Sequence, residues 1–555
     1  MRNLILILTA LCCAVAIAQP QTAKKAYKSV FTLRTYTADR LPVGTAFGFF
    51  TDSEGEAVSV FQPFKGAARA EVQTADGKTL PVEYIYGAND AYDVVRFKVN
   101  TSKAKVVALA TDTTRAADGT HLWLAAADKS VHEVSITKVE NFLAHYAFYT
   151  LSGSCPSDCA GLPLLDAAGR VTAVMQRKGQ VAENVNFAVS ASLADSLSVS
   201  GLSLNDATLR ATNVKKALPE QLEQAKLTLY FAANTLDSTA YAQLVDDFIV
   251  KFPAAIDGYI SKADLAIRRQ DYPAVDNTFG EALSKAEPKA EVHFNYARAI
   301  YRKVVYQPQP SYEKWTLDAA HREVDAAIAA DDQPLYRHQK ALISFAQHNY
   351  ADAAQMFHEL STTPLRSAEL FYEEANCYRQ LSDTTRYLAL LDSAVATYSR
   401  PLLKEAAPYL LTRATARYDC GRFRDAVADL NDYEALMRTA VNDQFYYLRY
   451  QAERSGRLFQ QALDDIGRAL QKAPDEQLYY AEKASLEVYV GLYDEALTTS
   501  KTLIDMAPEG SDGYLFYGYA LCMKGNTKEG LQYLQKALER GDKQAERLIE
   551  RFSQK

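Results

Sequence analysis

The sequence lacks an excess of basic charge: 61 Lys and Arg stand against 68 Asp and Glu, a net charge of -7 over 555 residues. With no basic field to steer a polyanion, a nucleic-acid partner is not expected. After the first eighteen residues no segment approaches the ~18 consecutive apolar residues that a membrane helix needs, so no transmembrane segment is expected. The eight histidines and seven cysteines never fall at metal-ligand spacing, and neither a metal nor a cofactor is expected.

What is present begins with Arg2, an apolar run from Leu4 to Ile17, and small residues at Ala16 and Ala18. This is the pattern of a secretory signal peptide, residues 1–18, cleaved before Gln19. Leu11 precedes Cys12, where lipid attachment would need a small side chain. The mature protein is therefore expected to be exported and soluble, periplasmic or secreted. Cleavage leaves five cysteines. Cys155 and Cys159 lie in one loop of an exported chain, and a short disulfide between them is expected. Cys377, Cys420 and Cys522 fall at helical positions, where a cysteine acts as a small buried hydrophobe.

A chain of this length exceeds one hydrophobic core, so more than one domain is expected. Residues 24–200 read as short strands separated by turns, an all-β barrel or sandwich. Val30 to Arg34 and Val94 to Val99 alternate, Gly44 to Asp52 leads into a turn at Ser53 to Glu56, and Asp76-Gly77 has hairpin-turn chemistry. Toward the end of this region stands Asp158-Cys159-Ala160-Gly161-Leu162-Pro163-Leu164-Leu165-Asp166, followed by Gly169-Arg170-Val171. It resembles the nucleophile loop of trypsin-like serine proteases, with Ala160 at the serine position.

The order of the other pieces is similar to the protease domain of the high-temperature-requirement family, a double β-barrel. Ala57 to Ala67 occupies the place of the family's histidine motif, with Gln62 at the general base. Asp90-Ala91-Tyr92-Asp93-Val94-Val95 resembles the motif of the third triad member, which makes Asp93 the orienting carboxylate. Gly119 to Leu124 and Asn184 to Ser190 resemble later strands of the same domain. The resemblance implies a catalytic triad with no intact nucleophile or base. A methyl group has no lone pair with which to attack a carbonyl, and an amide takes up no proton near neutral pH. Two uses of such a domain stay open: a pseudoprotease, or a residual serine or cysteine endopeptidase using Cys159, Ser154 or Ser157 with His121, His132 or His145.

Residues 201–217 read as a linker. From residue 218 to residue 555 the apolar period becomes helical. Small residues recur at Ala353, Ala426, Ala462, Ala496 and Gly530, the last three spaced by 34. This resembles the tetratricopeptide repeat, in eight to nine copies, and implies an all-α solenoid. The resemblance places Tyr372, Asn376, Arg379, Tyr418, Tyr447, Gln451, Arg454 and Tyr519 on the groove-facing side, a composition suited to a protein or peptide ligand. The sequence carries no signal for the oligomeric state. The expected function is an exported interaction scaffold; the alternatives are the residual endopeptidase and an accessory module of an envelope polysaccharide-capture or outer-membrane assembly complex.

Overall fold

A computed structural model describes residues 21–109, 116–142, 146–177 and 184–554. The expected signal peptide and His145 lie outside the described residues. The chain divides into two compact units, one ending at Glu287 and the other starting at Pro288.

In the first unit, β1 (Val30–Tyr36), β2 (Pro42–Phe50), β3 (Glu56–Ser59), β4 (Arg69–Thr74), β5 (Thr79–Asn89) and β6 (Val94–Val99) close one barrel in the order β1-β2-β3-β6-β5-β4. A second barrel is closed by β7 (His121–Ala125), β8 (Val131–Phe142), β9 (Tyr146–Ser152), β10 (Pro163–Leu165), β11 (Val171–Met175) and β12 (Val185–Ser190). Read from β7, its order is β7-β8-β9-β12-β11-β10, the same path as the first. All neighbouring strands pair antiparallel. The expected β domain is thus a double barrel.

Strand alternation produces this closure. In β1, Phe31 and Leu33 face the first core while Arg34 and Tyr36 stay partly exposed, and Phe97 of β6 enters from the far side. Leu122, Leu124, Ile136 and Tyr149 do the same in the second barrel. A third cluster takes Phe49, Val58 and Val94 from the first barrel and Trp123, Leu165 and Val174 from the second. Burial of each such side chain contributes about 1.5–3 kcal/mol, so the two barrels hold together as one body. The Asp76-Gly77 turn forms as expected, with Gly77 at φ +85° and the Thr74 N–H donating to Lys78 O at 2.9 Å.

The segment expected to be a linker, residues 201–217, is a strap on the first barrel. Leu209 and Val214 are buried in the core of β1 to β6. Asn213 N–H donates to Ala67 O at 2.7 Å, Ile85 N–H to Lys215 O at 2.8 Å, and Ala217 N–H to Ile85 O at 2.8 Å. Ile85 needs these partners because the pairing of β5 with β6 shifts register on both sides of it, between Val82 and Tyr84 and between Ile85 and Gly87.

Three short helices accompany the barrels: α1 (Gln21–Ala26), α2 (Leu193–Ser196) and α3 (Ala207–Arg210). Then α4 (Leu222–Thr235), α5 (Ser238–Lys251), α6 (Ile256–Arg268) and α7 (Tyr272–Lys285) complete the first unit. Asp237 and Asp271 start α5 and α7 by accepting backbone N–H bonds.

The second unit is all α: α8 (Lys289–Tyr306), α9 (Leu317–Ala330), α10 (Pro334–Ala346), α11 (Tyr350–Leu360), α12 (Ala368–Gln380), α13 (Thr384–Ala396), α14 (Ala407–Asp419), α15 (Phe423–Met437), α16 (Asp443–Ser455), α17 (Phe459–Lys472), α18 (Gln477–Val490), α19 (Tyr493–Met506), α20 (Asp512–Met523), α21 (Thr527–Glu539) and α22 (Lys543–Ser553). Each packs on the next in chain order, a helical solenoid. The repeated small positions sit where helices touch: Ala353, Ala426, Ala462 and Ala496 are fully buried. At Gly530 the approach is closer still, since a Cβ there would lie 2.4 Å from Cys522 Sγ.

Charge also enters this interior. Arg413 pairs with Asp429 at 2.6 Å, and one helix pair later Arg449 pairs with Asp465 at 2.5 Å and Glu434 at 2.8 Å. Both arginines stand sixteen residues before their aspartates. Glu453 lies beside this second group; burial and the Asp465 carboxylate push its carboxyl up to about 8.

Candidate functional site

Of the three positions singled out by the protease-like motifs, Gln62 and Asp93 meet within the first barrel, and Ala160 packs on that barrel from the second. A 3₁₀ turn, Gln62–Phe64, follows β3 and starts with Phe61 and Pro63 buried on either side of an exposed Gln62. Asp93 ends the β5–β6 turn at φ +49°. Its Oδ1 accepts the Gln62 backbone N–H at 2.7 Å, and the Phe61 N–H bonds to the same carboxylate. Burial raises the Asp93 pKa above the usual carboxylate value against the lowering effect of these bonds.

Ala160 comes from the second barrel. Its side chain is 3% exposed and packs with Ala46 and Val60 of the first. Its carbonyl accepts the Phe47 N–H at 2.9 Å. Gly161 follows at φ +87°, where a Cβ would lie 1.9 Å from Phe47 O, so only glycine lets the loop approach this closely. Ser59 Oγ donates to the same Phe47 carbonyl at 2.5 Å. The roles of Phe47 and Ser59 were not legible in the sequence, because they act through a backbone amide and a buried hydroxyl that no motif marks. Neither Gln62 nor Ala160 supplies a nucleophile or a proton acceptor.

The other candidate nucleophiles are placed differently. Cys159 is 2% exposed in the second barrel's core, and Cys155 packs against the same cluster. Cys159 faces the core as a small hydrophobe. Ser154 and Ser157 are exposed. His121 meets Glu133 at 2.8 Å and Ser135 Oγ at 3.2 Å, while His132 meets Ser130 Oγ at 2.9 Å. Among the described residues no group of three His, Cys, Asp or Glu is placed to hold a metal ion, and no helix is long and apolar enough to cross a membrane.

The candidate groove residues fall into two sets. Tyr372 of α12 and Arg379 line a cavity of about 480 Å³ with Tyr387, Thr415 and Asp419. Arg379 is exposed, and Asn376 in the same helix has a buried Oδ1 that accepts no hydrogen bond among the described residues. Arg379 bonds Tyr387 and Tyr372 packs edge-on against Tyr409, and the second set is engaged within the chain as well. Arg454 pairs with Glu482 and donates to Tyr450 Oη at 3.0 Å and Ser485 Oγ at 3.2 Å. Tyr447 stacks on Tyr450 and Tyr479, with Gln451 bonded to its hydroxyl. Tyr418 packs edge-on against Phe423, and Tyr519 against Phe552. Of the three cysteines expected to be buried, Cys377 and Cys522 are, but Cys420 caps the end of α14 and is exposed, because the helix stops there.

No protein-family model matches the chain, and no curated protein matches it. Among solved structures it is similar to the Rv3671c protease from M. tuberculosis in its active form, with 14% identity, a TM-score of 0.28, and coverage of 32% of this chain and 82% of that one. It is also similar to the HtrA-type protease AlgW with a tripeptide, at 18% identity and a TM-score of 0.28, covering 32% of this chain. The match spans 62% of that AlgW chain and 60% of a second form of the same protease.

Proposed function

We propose that the chain is an exported binding scaffold, in which a trypsin-like domain without a working triad is joined to a tetratricopeptide array that takes a peptide or protein ligand. The observation that carries this reading is the pairing at the barrel junction. Asp93 keeps its bonds to the turn at Gln62, while the positions of base and nucleophile hold an amide and a methyl group. A triad aspartate acts by orienting a histidine; here the carboxylate accepts the backbone N–H groups of Gln62 and Phe61. The two closed barrels with one shared strand order agree with the motif order on which the resemblance rests.

For the array, the cavity at Tyr372 and Arg379 is the part of the groove set that supports ligand binding, since tyrosines and an exposed guanidinium line it together. The signal-peptide pattern at residues 1–18 supports export.

Two measurements on the folded, full mature chain test this. A fluorophosphonate probe and a thiol-directed probe, with the labelled residues mapped by mass spectrometry, are expected to leave every serine and Cys159 unmodified, whereas exposed Cys420 reacts as an ordinary thiol. Stoichiometric labelling of one serine or of Cys159 sinks the inactive reading. Co-purification from the native envelope is expected to yield a protein partner that Arg379→Ala releases.

A further inference from the structure

Within the first unit, the strap 201–217 and the helices α4 and α5 border an open cleft of about 1000 Å³ that none of the expectations above uses. That is the upper end of the size of small-molecule sites. Leu204, Leu236 and Leu244 give it apolar wall, and five charged residues face it: Arg210, Lys215 and Lys216 against Asp237 and Asp247.

The two carboxylates are already engaged. Asp237 accepts the Thr239 and Ala240 N–H groups at the start of α5, both at 2.9 Å, and Asp247 pairs with Lys215 at 2.6 Å. Lys216 is left with a neutral partner, donating to the Thr212 carbonyl. Among the described residues no carboxylate lies within ion-pair distance of its ammonium. The strap fixes this lysine in place, because Lys215 O and Ala217 N–H on either side of it are bonded to Ile85.

The geometry points to this cleft as a binding site for a small organic carboxylate with an apolar tail, its carboxylate on Lys216 and its tail against Leu204, Leu236 and Leu244. A partly buried ammonium without a counter-charge carries a desolvation cost, and an entering carboxylate offsets it. Burial lowers the Lys216 pKa to about 8. The amine must be protonated to hold an anion, so affinity is highest below that pH and falls as pH rises through it. Of the other facing groups, Lys215 and Asp247 pair with each other and Asp237 holds the start of α5.

The test is calorimetric titration of the full mature chain with sodium decanoate and, separately, with 1-decanol, below their aggregation concentrations. One decanoate per chain is expected, with 1-decanol at least tenfold weaker. Affinity for decanoate should fall several-fold between pH 7 and pH 9. Lys216→Met should remove the preference for the acid while thermal unfolding stays unchanged. Leu244→Trp, which fills the cleft and keeps the lysine, should abolish binding of both ligands. Equal affinity for acid and alcohol, absence of binding, or undiminished preference in Lys216→Met overturns the proposal. Should Lys216→Met fail to fold, Leu244→Trp decides, and decanoate binding retained in it overturns the proposal equally.

Discussion

Asp93 Oδ1 and the backbone N–H of Gln62 stand 2.7 Å apart, and with the Phe61 N–H this makes the carboxylate a cap for the turn that follows β3. Such a cap contributes about 1–2 kcal/mol. Asp93→Ala should therefore lower stability by that amount in urea unfolding, and Asp93→Asn, which keeps an acceptor oxygen, should recover more than half of it. An unchanged unfolding midpoint in Asp93→Ala would mean that the bonds to the turn do not matter.

Gly161 governs how closely the loop of the second barrel approaches Phe47. Alanine there meets both the left-handed backbone at φ +87° and a contact of 1.9 Å to a carbonyl oxygen. Gly161→Ala is expected to cost more than about 1 kcal/mol and to increase hydrogen exchange at the Phe47 amide, which donates to Ala160 O. Protection of that amide at the wild-type level would refute the packing argument.

The pH dependence of the second unit has a stated sign. Glu453 titrates near 8 in the folded chain against 4.5 as its ordinary value. Between those pH values the folded state holds a proton that the unfolded state has lost, so stability falls as pH rises through this window and levels off above it. One such proton gives a slope of at most about 1.4 kcal/mol per pH unit. Glu453→Gln should flatten the decline in urea midpoint measured from pH 5 to pH 9. A curve parallel to wild type would show that Glu453 is ionised in the fold.

Arg449 lies among Asp465, Glu434 and Glu453, and its removal takes the bidentate partner from the buried Asp465 carboxylate. Arg449→Met should cost about 3–5 kcal/mol, read by chemical unfolding at pH 7. A cost under ~1 kcal/mol would mean that water reaches the group.

Arg379 and Arg454 separate binding from stability. Arg454→Ala removes bonds to Glu482, Tyr450 and Ser485 and should lower stability by about 1 kcal/mol. Arg379→Ala, on an exposed residue, should leave the melting temperature unchanged and reduce partner capture. The reverse pattern would reassign the two residues.

The periodic parts of this fold were legible because the signal is local. Phe31 and Leu33 alternate within five residues, and the small residue of each helix pair returns at Ala462, Ala496 and Gly530. What escaped depends on distant partners. Arg454 looks like a groove residue until Glu482, one helix pair on, takes its charge. The strap has no period to detect, since Leu209 and Val214 are single anchors and the partner of Lys215 is Ile85, far upstream.

That pairing with Ile85 decides where the first unit can be cut. A fragment ending at residue 200 would lose Leu209 and Val214 from the core of the first barrel and the hydrogen-bond partners of Ile85. It would expose apolar core and leave the Ile85 backbone groups without these partners, surfaces that favour aggregation. Expression of the barrels alone therefore calls for a boundary beyond Ala217, and poor solubility of a shorter piece would report on its missing strap.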